Sequence, residues 1–137
     1  MRKVFVDTAA WIALRNTKDT LHQQAISTMQ ELRADQIQLI TSEFIFLEIA
    51  DGFANSPKRD SITDWVNQLR QMPTLTCVPL SQTLLNDAWT LYSQYSDKEW
   101  GLTDCTSFVI MKQQDISVAF TSDKHFEQAG FLRWLKP

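Results

Sequence analysis

The amino-acid sequence predicts an α/β domain built on a mostly parallel sheet of four to five strands. Three observations predict it. Short apolar runs that suit strands alternate with longer segments whose apolar residues recur every three or four positions. Only three Gly and four Pro occur in 137 residues, so connections are short and nearly all of the chain is regular structure. No internal repeat, low-complexity tract or linker interrupts the pattern, and residues 1–137 read as one domain.

Lys3 to Val6 is a short buried strand ending at Asp7, and Thr8 caps a helix over Ala9 to Arg15. Leu21, Ala25, Met29 and Leu32 mark the next helix by their spacing. Ile37 to Thr41 is the second strand, and Ser42 caps the helix that carries Phe44, Leu47 and Glu48. Pro57 suits the first turn of a helix with an inward stripe of Ile62, Trp65, Val66 and Leu69. Leu75 to Val78 is the third strand, closed by Pro79. Ser81 opens a helix expected to turn Leu84, Leu85, Ala88, Trp89 and Tyr92 inward. After a polar loop at Asp97 to Gly101, Thr103 caps a helix through Phe108, Val109 and Ile110. Ser117 to Phe120 is the fourth strand, a short helix follows, and Phe131 to Leu135 is expected as a last edge strand.

Composition sets outer bounds. Hydrophobic residues make up 44% and charged residues 21%, an ordinary globular balance. No apolar stretch approaches the roughly 18 residues of a transmembrane helix. The opening Met1-Arg2-Lys3-Val4-Phe5-Val6-Asp7 lacks the apolar core of a signal peptide, so no membrane association and a cytoplasmic location are expected. Cys77 and Cys105 have no metal-like spacing and are expected reduced. A net charge of −3 argues against a general basic coat for nucleic acid. Arg15, Lys18, Lys58, Arg59 and Lys124 are candidates for a local phosphate path, although scattered basic residues are more often solvated surface.

Four acids stand out: Asp7, Glu48, Asp104 and Asp123. Asp7 and Asp123 lie just past the carboxyl ends of strands, where open α/β sheets bind ligands. Asp104 falls in the first turn of a helix, whose dipole favours its ionised form. Glu48 sits inside a helix among Leu47, Ile49 and Ala50, so it either snorkels to water or faces a site. Each has a plainer reading. Asp7 and Asp104 are natural helix-end residues, and Asp123 in Thr-Ser-Asp is a natural turn residue. Together they imply more. Gathered carboxylates need a compensating positive charge, and a divalent metal is the least costly one. Such oxygen ligands suit Mg²⁺ or Mn²⁺, which orient a water, lower its pKa and stabilise charge developing on a phosphodiester. His22 and His125 are the only histidines, and His125 reads as a surface helix residue. Glu43 reads as a first-turn charge, Cys105 as a small buried neighbour, and the five Trp residues as core or interface.

Phe5-Val6-Asp7-Thr8, Thr41-Ser42-Glu43 leading to Leu47-Glu48-Ile49, Leu102-Thr103-Asp104-Cys105 and Phe120-Thr121-Ser122-Asp123-Lys124-His125-Phe126 resemble the PIN domain. VapC-like toxin ribonucleases are the commonest small members of that family. The resemblance runs the length of the chain, with the motifs in order. It implies a three-layer α/β/α fold and endonucleolytic cleavage of RNA with Mg²⁺ or Mn²⁺ held by Asp7, Glu48, Asp104 and Asp123. Thr8 and Ser122 would support those acids by hydrogen bonds. His125 stands where many members carry a further acid. The resemblance also implies a homodimer and, for a toxin, a small antitoxin partner. The apolar content of Trp11, Ile12, Leu14, Trp65 and Trp89 agrees with such interfaces. Two other functions remain open at this point. One is a PIN-type RNA-processing or turnover nuclease without an antitoxin. The other is a signalling receiver-like domain, ranked low because Cys77-Val78-Pro79-Leu80 stands where its phospho-accepting Asp belongs.

Overall fold

The computed structural model describes residues 2–136. The terminal residues of the expected domain, Met1 and Pro137, lie outside that range. All strands join one parallel five-stranded sheet in the order β3-β2-β1-β4-β5. Its centre is β1 (Lys3–Val6), flanked by β2 (Gln38–Ser42) and β4 (Val118–Phe120); β3 (Leu75–Val78) and β5 (Leu132–Arg133) are the edges. The central strands are almost continuously apolar because helices cover both of their faces. Val4, Phe5, Val6, Leu39, Ile40, Ala119 and Phe120 are buried, and complete burial of one such side chain stabilises the fold by about 1.5–3 kcal/mol. The register sets Phe5 between Ile40 and Ala119. The expected edge strand at Phe131 to Leu135 shrinks to Leu132–Arg133, although the Trp134 and Leu135 N–H groups still donate to the Ala119 and Thr121 carbonyls at 3.0 and 3.1 Å.

Helices α1 (Thr8–Arg15) and α2 (His22–Ala34) connect β1 to β2, and α3 (Glu43–Gly52) and α4 (Arg59–Arg70) connect β2 to β3. Helices α5 (Gln82–Gln94) and α6 (Leu102–Gln113) carry the chain across to β4, and α7 (His125–Gln128) leads to β5. Parallel crossovers are right-handed, so connections running in opposite directions from the centre cover opposite faces. The packing agrees: α1 meets α2 and α3, and α3 meets α4, whereas α6 meets α5 and α7; α3 and α6 also touch. The result is three layers, helix on sheet on helix. The order also rules out a receiver-like domain, whose strands run 2-1-3-4-5.

Three helix ends differ from the sequence expectation: Pro57 lies before α4, whose N-cap is Lys58, and the starts of α1 and α6 also shift. Asp7, not Thr8, takes the N-cap position of α1, and its side chain makes no capping bond. Gly101, not Thr103, is the N-cap of α6. Ser42 and Ser81 do cap: their hydroxyls accept from the Ile45 and Leu84 backbone N–H groups at 3.3 and 3.0 Å. In α5, Leu84 and Ala88 are buried, but Trp89 and Tyr92 point to solvent, with Trp89 49% exposed. Helix α6 takes the space they were expected to fill, and Trp89 and Tyr92 instead stack edge-on at 5.5 Å.

Candidate metal-binding active site

The order of the sheet changes direction between β1 and β4, and connections leaving these two strands diverge to opposite faces. A crevice therefore opens beyond their carboxyl ends. The two ends are locked together: the Asp7 N–H donates to the Phe120 carbonyl at 3.1 Å. This places Asp7, after β1, beside the Thr121-Ser122-Asp123 turn after β4.

Asp7 is 4% exposed. Its Oδ2 accepts from the buried Thr121 hydroxyl at 2.7 Å. Burial pushes its carboxyl from 3.8 up to about 7; the bonds from Thr121 and the Thr8 backbone oppose the rise, and the charges of Glu48 and Asp104 add to it. Across the crevice, Glu48 projects from α3 and accepts from the Thr8 hydroxyl at 2.5 Å. Its outer side is solvent-exposed, yet desolvation of its inner side, with the charges of Asp104 and Asp123, holds it above the usual carboxylate range against the Thr8 bond. The sequence argument for Glu48 assumed apolar surroundings. Only Ile49 is buried there; Leu47 is 53% exposed and Ala50 is also at the surface. Glu48 both reaches water and faces the site.

Asp104 sits in the first turn of α6, where its Oδ2 accepts from the Gly101 N–H at 3.1 Å. Burial and Asp123 raise its pKa, against the Gly101 and His125 hydrogen bonds. Asp123 is fixed from both sides: its N–H donates to the Thr121 hydroxyl at 3.1 Å, and its Oδ1 accepts from the His125 N–H at 2.9 Å. The structure thus gathers all four acids at one end of the sheet. Of the two expected supports, Thr8 bonds to Glu48. Ser122 does not hold an acid through its side chain; its carbonyl accepts from Arg133 at 2.8 Å. Thr121 holds Asp7 instead, because the last residue leaving a central strand points inward while the next lies out in the turn.

His125 also departs from expectation. Its Nδ1 lies 3.1 Å from Asp104 Oδ2 and 3.4 Å from Asp123 Oδ1. Sequence reading missed this because a surface helix residue and a site residue share the same pattern in so short a helix. The signal available was Phe126 next to it, which is fully buried against Phe108 (4.9 Å between ring centres) and so fixes the helix in place. Cys105 is buried beside Asp104, and burial plus that charge lift its thiol to about 11, so it is an unreactive neighbour.

The donor set fits a divalent cation. Among the described residues, no Lys or Arg forms an ion pair with any of the four acids, and His125 is the only basic partner of two of them. Hydrogen bonds fix Glu48 Oε1, Asp104 Oδ2 and Asp123 Oδ1, while the second oxygen of each carboxylate has no protein donor among the described residues. Burial is the largest cause of the three raised pKa values and the charges of neighbouring acids add to each; a bound cation would offset both.

A parallel sheet with several carboxylates at its switch point makes an α/β domain with a site suited to a divalent metal. The chain belongs to the PIN domain family, whose model matches residues 4–132. It is 25% identical over 129 residues to VapC20 of Mycobacterium tuberculosis, described as a 23S rRNA-specific endonuclease, with 94% of this chain and 95% of that protein covered. The crystal structure of VapC20, a toxin that cleaves the sarcin-ricin loop, superposes with a TM-score of 0.80 at 25% identity, covering 94% of this chain and 96% of that one. FitAcB from Neisseria gonorrhoeae shares the fold at a TM-score of 0.68 and 15% identity, covering 96% of each chain. VapBC2 from Rickettsia felis, solved with a promoter DNA fragment, does so at 0.69 and 12%, again covering 96% of each chain.

Proposed function

We propose that this protein is a divalent-metal-dependent endoribonuclease that hydrolyses RNA phosphodiester bonds, and that it is the toxin of a toxin-antitoxin pair. The convergence of Asp7, Glu48, Asp104 and Asp123 carries this reading. Its full-length similarity to an RNA-cleaving toxin supports it. Asp7, Glu48, Asp104 and Asp123 would hold Mg²⁺ or Mn²⁺, and the bound ion would lower the pKa of a water and stabilise charge on the scissile phosphate. The chain's own part is placement. Thr121 and Thr8 lock one oxygen each of Asp7 and Glu48, and the Gly101 N–H does the same for Asp104. These bonds fix one oxygen of each of these carboxylates despite their mutual repulsion.

Two surfaces support protein partners. A groove of about 420 Å³ is lined by Trp11, Leu14, Ile26, Met29, Trp65 and Leu69, with Arg15 and Arg33 also at its wall. Its apolar floor and basic rim suit an amphipathic, acidic segment of a small antitoxin. Trp89 and Tyr92 leave an aromatic face on α5 that suits a homodimer. No helix among the described residues is long and apolar enough to cross a membrane.

The decisive experiment is cleavage of RNA with Mg²⁺, Mn²⁺ or EDTA, wild type against Asp7→Asn. Loss on the order of a hundredfold or more is expected in the variant and in EDTA. Full cleavage in EDTA, or by Asp7→Asn, would overturn the reading.

A further inference from the structure

We propose that His125 is itself a metal ligand, binding through Nδ1 beside Asp104 and Asp123, and that it tunes the site toward Mn²⁺ over Mg²⁺. The inference rests on the metal-site reading above and adds a nitrogen to its donor set.

One carboxylate oxygen from each of Asp104 and Asp123 and the His125 ring nitrogen all lie within 4.8 Å of one another. Nδ1 is 3.1 and 3.4 Å from the two nearest oxygens. Neighbouring ligands on one octahedral ion with bonds of about 2.1 Å are about 3.0 Å apart, so Nδ1 stands near that spacing from one oxygen of each acid. The ring does not swing freely into this position. The His125 N–H is tied to Asp123 Oδ1, and the adjacent Phe126 is packed between Phe5 and Phe108. The backbone of His125 is thus anchored on both sides, and its ring presents Nδ1 to Asp104 Oδ2.

The chemistry decides which ion gains. Mg²⁺ prefers oxygen and gives up its waters reluctantly, so an imidazole adds little to its binding. Transition ions accept imidazole nitrogen readily. Mn²⁺ stands at the weak end of the transition series for imidazole, but it keeps its affinity for carboxylates and, of the two ions compared, is the one that gains from a nitrogen donor. The competing role for His125 is a hydrogen-bond donor to Asp104 alone. In that role the ring never touches the ion, and metal preference does not depend on it.

The test reads the metal rather than cleavage. The full chain is loaded with Mn²⁺ and examined by pulsed electron paramagnetic resonance, and Mn²⁺ and Mg²⁺ affinities are measured by titration calorimetry. Wild type, His125→Ala and His125→Asp are compared. The wild type is expected to show the nitrogen coupling of a directly bound imidazole, and both variants to lose it. His125→Asp is expected to lower the preference for Mn²⁺ over Mg²⁺ by about tenfold, because an oxygen replaces the nitrogen. His22, the only other histidine, has its Nδ1 at 2.7 Å from the Ala13 carbonyl, so His22→Gln should keep the signal. Bound Mn²⁺ without nitrogen coupling in the wild type, or equal selectivity in all three proteins, overturns the proposal and leaves the four-acid site standing. Absence of Mn²⁺ binding, or wild-type binding by Asp104→Asn, overturns the metal site itself and this proposal with it.

Discussion

Asp7→Asn is expected to stabilise the metal-free protein, and by an amount that depends on pH. The carboxyl of Asp7 is buried and titrates near 7 in the folded state, against 3.8 for the free group. Below pH 3.8 it is protonated in both folded and unfolded chains and contributes nothing to the pH dependence. Between 3.8 and about 7 the unfolded chain releases the proton while the folded chain keeps it, so stability falls as pH rises. Above about 7 both forms are ionised and the loss is constant. At about 1.4 kcal/mol per pH unit the full loss is on the order of 4 kcal/mol, of which roughly 2–3 kcal/mol accrues between pH 5 and pH 8. Asn has the same shape, keeps an oxygen for the Thr121 hydroxyl and never ionises. The assay is thermal melting of both proteins in EDTA at pH 5 and pH 8. The melting advantage of Asp7→Asn should be larger at pH 8 by roughly 10 °C, since 1 kcal/mol is worth about 3–5 °C in a chain of this length. Using the difference between the two proteins removes the titrating groups that do not interact with Asp7, and leaves Asp7 with the response of Glu48 and Asp104 to its charge. An advantage that is the same at both pH values, or a variant less stable than wild type at pH 8, would refute the reasoning: Asp7 would then not be a buried charge set against Glu48 and Asp104.

Mn²⁺ should raise the wild-type midpoint, with a stabilisation of about 2.7 kcal/mol at a hundred times the dissociation constant, and raise that of Asp7→Asn less; melts with and without the ion check this. Thr121→Val should cost about 1.5–3 kcal/mol at pH 8 by removing the hydroxyl that bonds the buried Asp7 carboxylate, whereas Ser122→Ala should stay within about 0.5 kcal/mol; denaturant unfolding of the pair separates the two supports. Replacing Trp89 and Tyr92 together by Ser should convert the expected homodimer to monomer without lowering the midpoint of the isolated domain; light scattering at micromolar concentration checks it, and a wild type that is already monomeric would count against the α5 interface.

The sequence was most legible where a residue's local pattern and its tertiary role coincide. Lys3 to Val6 and Leu75 to Val78 were bounded as the structure has them, because a parallel strand closed by Asp7 or Pro79 has little freedom at its end. Ser42 and Ser81 were legible as caps for the same reason. Trp89 and Tyr92 were not legible as surface. Their spacing from Leu84 and Ala88 marks one broad helical face, and only the packing of α6 on α5 decides how much of that face is covered. Edge strand β5 is shorter than expected because Phe131 packs against the core outside the ladder, while Leu135 is buried and keeps a backbone bond to Thr121 beyond the regular strand.

The acids show a sharper limit. A carboxylate at a strand end is visible in sequence because it interrupts an apolar run. The group that holds it is not, because Thr is an ordinary strand residue whether or not its hydroxyl has work to do. Thr121 belongs to a class of three such positions: Thr8 bonds Glu48, Thr41 bonds the Val6 carbonyl and accepts from the Trp11 indole, and Thr121 bonds Asp7. Each hydroxyl sits within two residues of the end of a central strand, beside the crevice. At Thr41 a β-branched side chain suits β2; at Thr8, the first residue of α1, and at Thr121, just past β4, the hydroxyl supplies a bond that a Val would lack. The acids repel one another in the folded state, so their placement depends on partners fixed by the backbone rather than on the acids themselves. The same dependence explains why Asp7 remains buried at all. Thr121 and the Thr8 backbone reduce the cost of its charge, and what they leave uncompensated is what a bound cation would remove.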